Sequence, residues 1–304
     1  VNLNNSIPPP DREFDFRFTT AQGQKGEIND SFNTSIKATI TRNTGTLTNE
    51  QNNRFNLDGI HMNSSPYYSS IVLGSNSDRE NCEYLSLTPW YFGGASCNIS
   101  VEIYFYFSSF QYWNGVQRVF NFADGTETNN FGLWISDGGV SGSSFQLAFC
   151  ATEDFSHRWL SPHKSLSSFW HLTDFEPNNW YHMVIRFKGA SNSTTQNGLQ
   201  ELWVNGVKIT YTPSSNWHNS WSWSNITSIF PTPVPLSHKL LINNKLRSHH
   251  WMGSSEWGGD SRFVGKYSYL RFWNNHWLSD SAITELYNNR NTLNPFQAPY
   301  YNSR

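Results

Sequence analysis

The chain has 304 residues and a formal net charge of −2 at pH 7, from 21 Lys and Arg against 23 Asp and Glu. Only 14% of its residues are charged, against roughly 25% in an ordinary globular domain, and no basic stripe occurs, which excludes an electrostatic nucleic-acid binder. No run of about 18 apolar residues occurs, which excludes a membrane-spanning helix, and a 16% aromatic content with 14 Trp excludes a disordered chain.

Residues 1–11, with three consecutive prolines, read as an N-terminal arm. The dominant period from there on is two. Phe14, Phe16 and Phe18 alternate with Glu13, Asp15 and Arg17, so that one face of a strand is aromatic and the other charged. Ile36, Ala38 and Ile40 alternate with Lys37, Thr39 and Thr41. Val101, Ile103, Phe105 and Phe107 alternate with Glu102, Tyr104 and Tyr106. Residues 152–179, with His157, His163 and His171, read as a long connection. Trp180 to Lys188 reads as a strand with Tyr181, Met183, Ile185 and Phe187 inward. Two further alternating runs, Leu199 to Val204 and Val207 to Tyr211, flank Asn205-Gly206, the strongest short hairpin signal because both turn residues need positive φ.

Residues 212–246 break the pattern and read as an insertion. Pro213, Pro231, Pro233 and Pro235 there are too dense for a central strand. Phe263 to Trp273 gives a last long strand. Ser279 then serves as N-cap of a short helix whose apolar stripe is Leu278, Ile283, Leu286 and Tyr287. Residues 293–304 read as a C-terminal arm, leaving one domain over 12–292. Many short strands with one short C-terminal helix predict an all-β fold, an antiparallel β-sandwich.

Asn and Ser make up about a quarter of the chain, a strong bias against ordinary usage. Seven Asn-x-Ser/Thr sequons begin at Asn4, Asn29, Asn33, Asn63, Asn98, Asn192 and Asn225, as expected of a secreted glycoprotein. The sequence starts at Val1 without a basic and apolar leader, so any signal peptide is expected to have been removed. Three cysteines permit one disulfide. Cys82–Cys97 is the expected pair and Cys150 the spare thiol; the alternative is three reduced thiols inside a cell.

Several segments carry a family pattern. In the last quarter Gly253, Ser255, Asp260, Phe263 and Gly265 precede Leu270-Arg271-Phe272-Trp273, then Leu278, Ser279, Ile283, Leu286 and Tyr287. Upstream come Ile28-Asn29-Asp30-Ser31, then Arg118-Val119-Phe120-Asn121-Phe122-Ala123-Asp124-Gly125. Trp180-Tyr181-His182-Met183-Val184 and Leu202-Trp203-Val204-Asn205-Gly206 follow. In this order they resemble laminin-G-like domains of the concanavalin A-like jelly-roll superfamily. The departures are the insertion, the Pro-rich start, and Asn121 where that family commonly has Asp. The resemblance implies two facing antiparallel sheets, usually outside the cell, serving recognition or scaffolding. It fixes no ligand, because lectins, glycan hydrolases and adhesion modules share the superfamily.

Glucanases of that superfamily set alternate carboxylates on one strand. Here Glu13-Phe14-Asp15-Phe16-Arg17 puts Arg17 where the acid/base carboxylate would stand, and an arginine gives up no proton near neutral pH. A salt-bridged strand face, and no enzyme, is the expectation. Calcium at a rim loop stays open, with Asp30, Asp124, Asp137 and Asp260 as loop carboxylates that serve equally well in turns. A zinc site is not expected, since the adjacent His249 and His250 point to opposite faces of a strand. Trp217, Trp221 and Trp223, with Asn216 and His218, form the candidate binding surface, where rings stack on sugars or anchor an interface; the bland alternative is capping of the sandwich. The expected function is thus a non-enzymatic, extracellular building block of a surface coat, filament or virion exterior, self-associating or packing on neighbouring coat proteins. A glycan-binding lectin is the alternative and a glycan hydrolase the distant third.

Overall fold

A computed structural model describes residues 7–17, 27–42, 55–56, 58–62, 83–93, 98–108, 116–124, 130–136, 145–152, 165–172, 176–188, 199–209, 247–254, 263–293 and 295–296. In chain order the described strands are β1 (Arg12–Asp15), β2 (Glu27–Asn29), β3 (Lys37–Arg42), β4 (Phe55–Asn56), β5 (Gly59–Met62), β6 (Glu83–Leu87), β7 (Ile99–Phe107) and β8 (Val116–Ala123). They continue as β9 (Phe131–Ser136), β10 (Phe145–Thr152), β11 (Ser165–Leu172), β12 (Asn179–Lys188), β13 (Leu199–Val204), β14 (Val207–Lys208), β15 (His249–Met252) and β16 (Gly265–Asn274). One helix follows, α1 (Asp280–Asn288), which is too short to cross a membrane.

The strands form two sheets, and every described pairing is antiparallel. The first has the order β14-β13-β12-β7-β16-β5-β4, and the second β11-β10-β9-β8-β15-β6-β3-β2. β1 also joins β16 in the first sheet, pairing Arg12–Asp15 with Phe272–Tyr269. The same edge of β16 takes β5 at residues 265–267. Between these two partners β16 carries a bulge: Tyr267 faces Phe105 and Tyr269 faces Tyr104, with Ser268 as the extra residue. Gly59 lies against this bulge with φ +135, and a Cβ there would sit 2.0 Å from the Tyr267 carbonyl oxygen. Asn205-Gly206 makes the expected turn, with φ of 50 and 77.

The inward faces meet in one core. Phe14, Phe16, Phe105, Phe107, Phe120 and Phe122 are among its fully buried members. His250 belongs to it as well: its ring stacks on Phe122 at 4.3 Å and 15°, and neither ring nitrogen has a hydrogen-bond partner. A second, smaller cluster lies on the outer face of the first sheet, where α1 packs Leu278, Ala282, Ile283 and Leu286 over Val184, Trp203 and Trp273. Ser279 caps α1 as expected, its hydroxyl accepting from the Ala282 N–H at 3.2 Å.

Three features depart from the sequence reading. The connection over 152–179 contains an edge strand, β11, paired with β10 along its whole length. Its run Ser-Leu-Ser-Ser-Phe-Trp-His-Leu has no clean alternation, so the period gave no sign of it. The inner ends of both arms are fastened to the body: Ile7 and Phe296 pack into the small cluster, and the Trp273 indole donates to the Pro8 carbonyl at 2.8 Å. The polar faces of β1 and β7 are also largely withdrawn from solvent, for Glu13, Asp15, Arg17 and Glu102 are buried.

Candidate functional site

The outer face of the first sheet falls into three bands, because each long strand carries a different kind of side chain at successive outward positions. β7 presents Ser100, Glu102, Tyr104 and Tyr106, β12 presents Arg186, Val184, His182 and Trp180, and β16 presents Trp273, Arg271, Tyr269 and Lys266. The first band is the apolar patch under α1. Arg186 closes its border by pairing with Glu201 and Asp280 and donating to the Leu278 carbonyl.

The middle band is ionic and dry. Glu102 accepts from His182 Nε2 at 2.8 Å, from the Tyr269 hydroxyl at 3.0 Å and from Arg271 at 3.1 Å. Arg271 in turn donates to Glu13 at 2.7 Å and lies 4.0 Å from the Tyr269 ring centroid. Burial by itself would raise the Glu102 pKa, but the Arg271 charge and the His182 hydrogen bond overcome it and hold the carboxyl at about 2. In the core, burial and the nearby Arg247 charge push His250 well below the ordinary imidazole value of 6.5. Burial pushes Asp30 up to about 6, against the pull of the Glu13 and Phe32 N–H groups and Arg12.

These shifts fix the sign of the acid response. Glu102 contributes stability that is complete above its unfolded value near 4.5 and is lost as pH falls toward 2. His250 contributes stability lost as pH falls below 6.5, because the unfolded chain takes up a proton that the core refuses. Asp30 opposes both between about 6 and 3.8. The urea midpoint is therefore expected to fall from pH 7 to pH 3, and His250→Phe to flatten the portion above pH 4.5. An unchanged slope there in the variant would remove His250 as its source.

The third band is open. A groove of about 270 Å³ is lined by Arg17, Asp58, Tyr104, Trp180, Ser268, Asn291 and Leu293. The half-buried Trp180 ring lies 4.9 Å from Tyr104 and 5.6 Å from Tyr106, centroid to centroid. Tyr106 donates to Asn178 Oδ1 at 3.3 Å, and Lys266 sits 5.4 Å from its ring while pairing with Asp58 at 2.9 Å. Burial raises the Tyr104 phenol above its ordinary 10.0, against the pull of a hydrogen bond and positive charge from Arg290. A part-exposed indole flanked by two phenols, with hydroxyl, amide and guanidinium groups at the margin, suits a ligand with one apolar face and a polar perimeter.

Trp217, Trp221, Trp223 and Asn216 lie outside the described residues, as do Cys82, Cys97, Asp137 and Asp260. Of the sequons, Asn29 and Asn33 are exposed, Asn98 is half-buried, and Asn4, Asn63, Asn192 and Asn225 lie outside the described residues. The Asp30 carboxylate takes the Glu13 and Phe32 N–H groups, and among the described residues no group of three or more His, Cys, Asp or Glu is placed to hold a metal ion. The Glu13, Asp15 and Arg17 face is salt-bridged, with Glu13 on Arg271 and Asp15 on Arg17. Trp180, Tyr104 and Tyr106 entered the sequence reading as strand residues and not as a binding surface. Their signal was there in β7, whose outward positions carry Tyr where a solvated strand face carries charge.

No protein-family model matches the chain, and no curated protein matches it. Among solved structures, the chain is similar to domain 4 of AbnA, an extracellular GH43 arabinanase from Geobacillus stearothermophilus, in complex with arabinotriose. The identity is 15%, over 91% of this chain and 98% of that one, with a TM-score of 0.43. The botulinum neurotoxin serotype D binding domain is similar at 11% identity over 93% of this chain and 52% of that one, TM-score 0.48. The CBM40 of the Ruminococcus gnavus IT-sialidase, bound to α2,3-sialyllactose, is similar at 12% over 62% and 82%, TM-score 0.37. Likeness at this level says nothing of what the groove binds. The laminin-G-like assignment remains a resemblance of motifs.

Proposed function

We propose that the chain is a glycan-binding β-sandwich module that acts outside the cell and receives a sugar ring on Trp180. The observation that carries this reading is the groove with Trp180 and Tyr104 in its lining and Tyr106 beside the Trp180 ring. Sugar rings present C–H faces to aromatic side chains and hydroxyl groups to polar side chains such as the exposed Asn291. Binding without cleavage is part of the same reading. It is supported by Glu13, Asp15 and Glu102, each of which is tied to an arginine, Glu13 and Glu102 to the same Arg271. Carbohydrate at the exposed Asn29 and Asn33 and the Cys82–Cys97 bridge belong to the extracellular setting.

A glycan array with and without chelator tests the reading and, in the same step, any dependence on calcium. Trp180→Ala is expected to weaken binding by roughly thirtyfold, since removing a central Trp anchor costs about 2 kcal/mol, and to leave the circular dichroism spectrum unchanged. An array without a retained glycan would count against the reading, as would an unaffected variant. The building-block reading rests mainly on the arms and the 212–246 insertion. Light scattering addresses it: a strict monomer at high concentration counts against self-assembly.

A further inference from the structure

The unspent hydrogen-bond donors of the groove narrow which sugars it takes, given that it binds glycans at all. Arg17, a lining residue, has a side chain only 4% exposed. Two of its five N–H groups bond the Asp15 carboxylate, at 2.8 and 2.6 Å, and a third donates to the Arg290 carbonyl at 3.1 Å. Two are left over. Arg290 itself follows α1 and is half-buried. Its NH1 donates to the Tyr287 carbonyl at 2.8 Å, and its guanidinium carbon lies 4.2 Å from the Tyr287 ring centroid. The same guanidinium donates to the hydroxyl of Tyr104, which lines the groove. Among the described residues Arg290 pairs with no carboxylate. Tyr104, by accepting from Arg290, keeps its own proton to donate. The one lining carboxylate, Asp58, already holds Lys266 at 2.9 Å. Three cations, Arg17, Lys266 and Arg290, thus meet two carboxylates, Asp15 and Asp58, and the balance at the groove is positive.

We infer that the groove takes a single acidic pyranose, a sugar residue with a carboxylate on its ring, in preference to the neutral counterpart. The carboxylate accepts from the Arg290 guanidinium and the Tyr104 hydroxyl, while the C–H face of the ring lies on Trp180. Ring hydroxyls meet the two remaining Arg17 N–H groups and the exposed Asn291. Hydrogen bonds to an ionised group are roughly twice as strong as neutral ones. A hydroxymethyl group in the same place forgoes that gain and leaves Arg290 without a counter-charge. At about 270 Å³ the space lies just below the roughly 300–1,000 Å³ of ordinary ligand pockets, which suits one ring rather than a chain.

Matched methyl glycosides provide the test: glucuronide against glucoside and galacturonide against galactoside, followed by saturation-transfer NMR and calorimetry at millimolar concentration. The uronide of each pair is expected to bind about tenfold more tightly than its neutral partner, the worth of one charge-assisted hydrogen bond. Arg290→Gln is expected to erase that ratio, and Arg290→Lys, which keeps the charge without the planar fork, to retain part of it. Should these variants fail to fold, the unaltered protein gives a second measurement. Raising the ionic strength from about 0.01 to about 1 M shortens the Debye length from roughly 30 to 3 Å, so uronide binding is expected to weaken several-fold while neutral binding holds. A neutral glycoside that binds as tightly as its uronide, in a Trp180-dependent manner, overturns the inference and leaves the glycan-binding reading intact. A uronide preference that survives Arg290→Gln undiminished overturns it as well. If none of the glycosides binds, that reading falls and takes the inference with it.

Discussion

Glu102→Ala is expected to lower stability by about 3–5 kcal/mol, the usual cost of removing one partner from a buried ion pair. The truncation leaves the His182 Nε2 and Tyr269 hydroxyl without their acceptor and Arg271 with Glu13 alone, in a layer where Glu102 and His182 are 0% exposed. Water cannot replace the lost carboxylate at that depth, so the orphaned donors bear their full desolvation penalty. For a domain of this size the loss corresponds to a fall in melting temperature of roughly 5–8 °C. Glu102→Gln, which keeps the shape and one acceptor oxygen, is expected to lie between. Differential scanning calorimetry of the two variants decides the matter. A loss below about 1 kcal/mol for the alanine variant would mean that the ionic band is hydrated and does not hold the sheet face together.

Gly59→Ala is expected to be as severe, for a reason of backbone rather than charge. The added Cβ would stand 2.0 Å from the Tyr267 carbonyl oxygen, 2.7 Å from its carbon and 2.9 Å from the Ser268 Cα. None of these is the end of a flexible side chain. The φ of +135 is also a conformation that side-chain-bearing residues rarely adopt. The strand must move away, and the β16 bulge goes with it. A loss of about 3 kcal/mol or more follows. Because Asp58 and Ser268 flank this contact and both line the groove, glycan binding is expected to fall with it. A folded Gly59→Ala protein with ordinary stability and unaltered binding would show that the bulge has no part in shaping the site.

Much of the fold was legible because its information is local. Alternation along Val101–Phe107 and Trp180–Lys188 placed the inward residues correctly, and Asn205-Gly206 and Ser279 marked a turn and a helix start by their own chemistry. What alternation could not tell was which outward faces stay wet. The polarity of Glu102, His182 and Arg271 reads as solvent exposure, yet their partners lie 80 and 169 residues apart in sequence. Pairing over such separations leaves no period in the chain. The groove was hidden for the same reason: Arg17, Tyr104, Trp180 and Asn291 come from four distant segments. The sequence drew attention instead to the tryptophans of 212–246, where aromatic and proline density is conspicuous in a single stretch.

The position of β16 has a consequence for how the molecule is made. It lies between β7 on one side and β5 and β1 on the other, so the strand synthesised last among the sixteen occupies the middle of its sheet. On the ribosome, β1, β5 and β7 must wait until residues 265–274 have been made before their neighbour arrives, a long-range closure that makes for slow folding. During that delay the outer edge of β7 and the aromatic side of β1 stand uncovered, and a chaperone meeting the nascent chain would find its binding sites there.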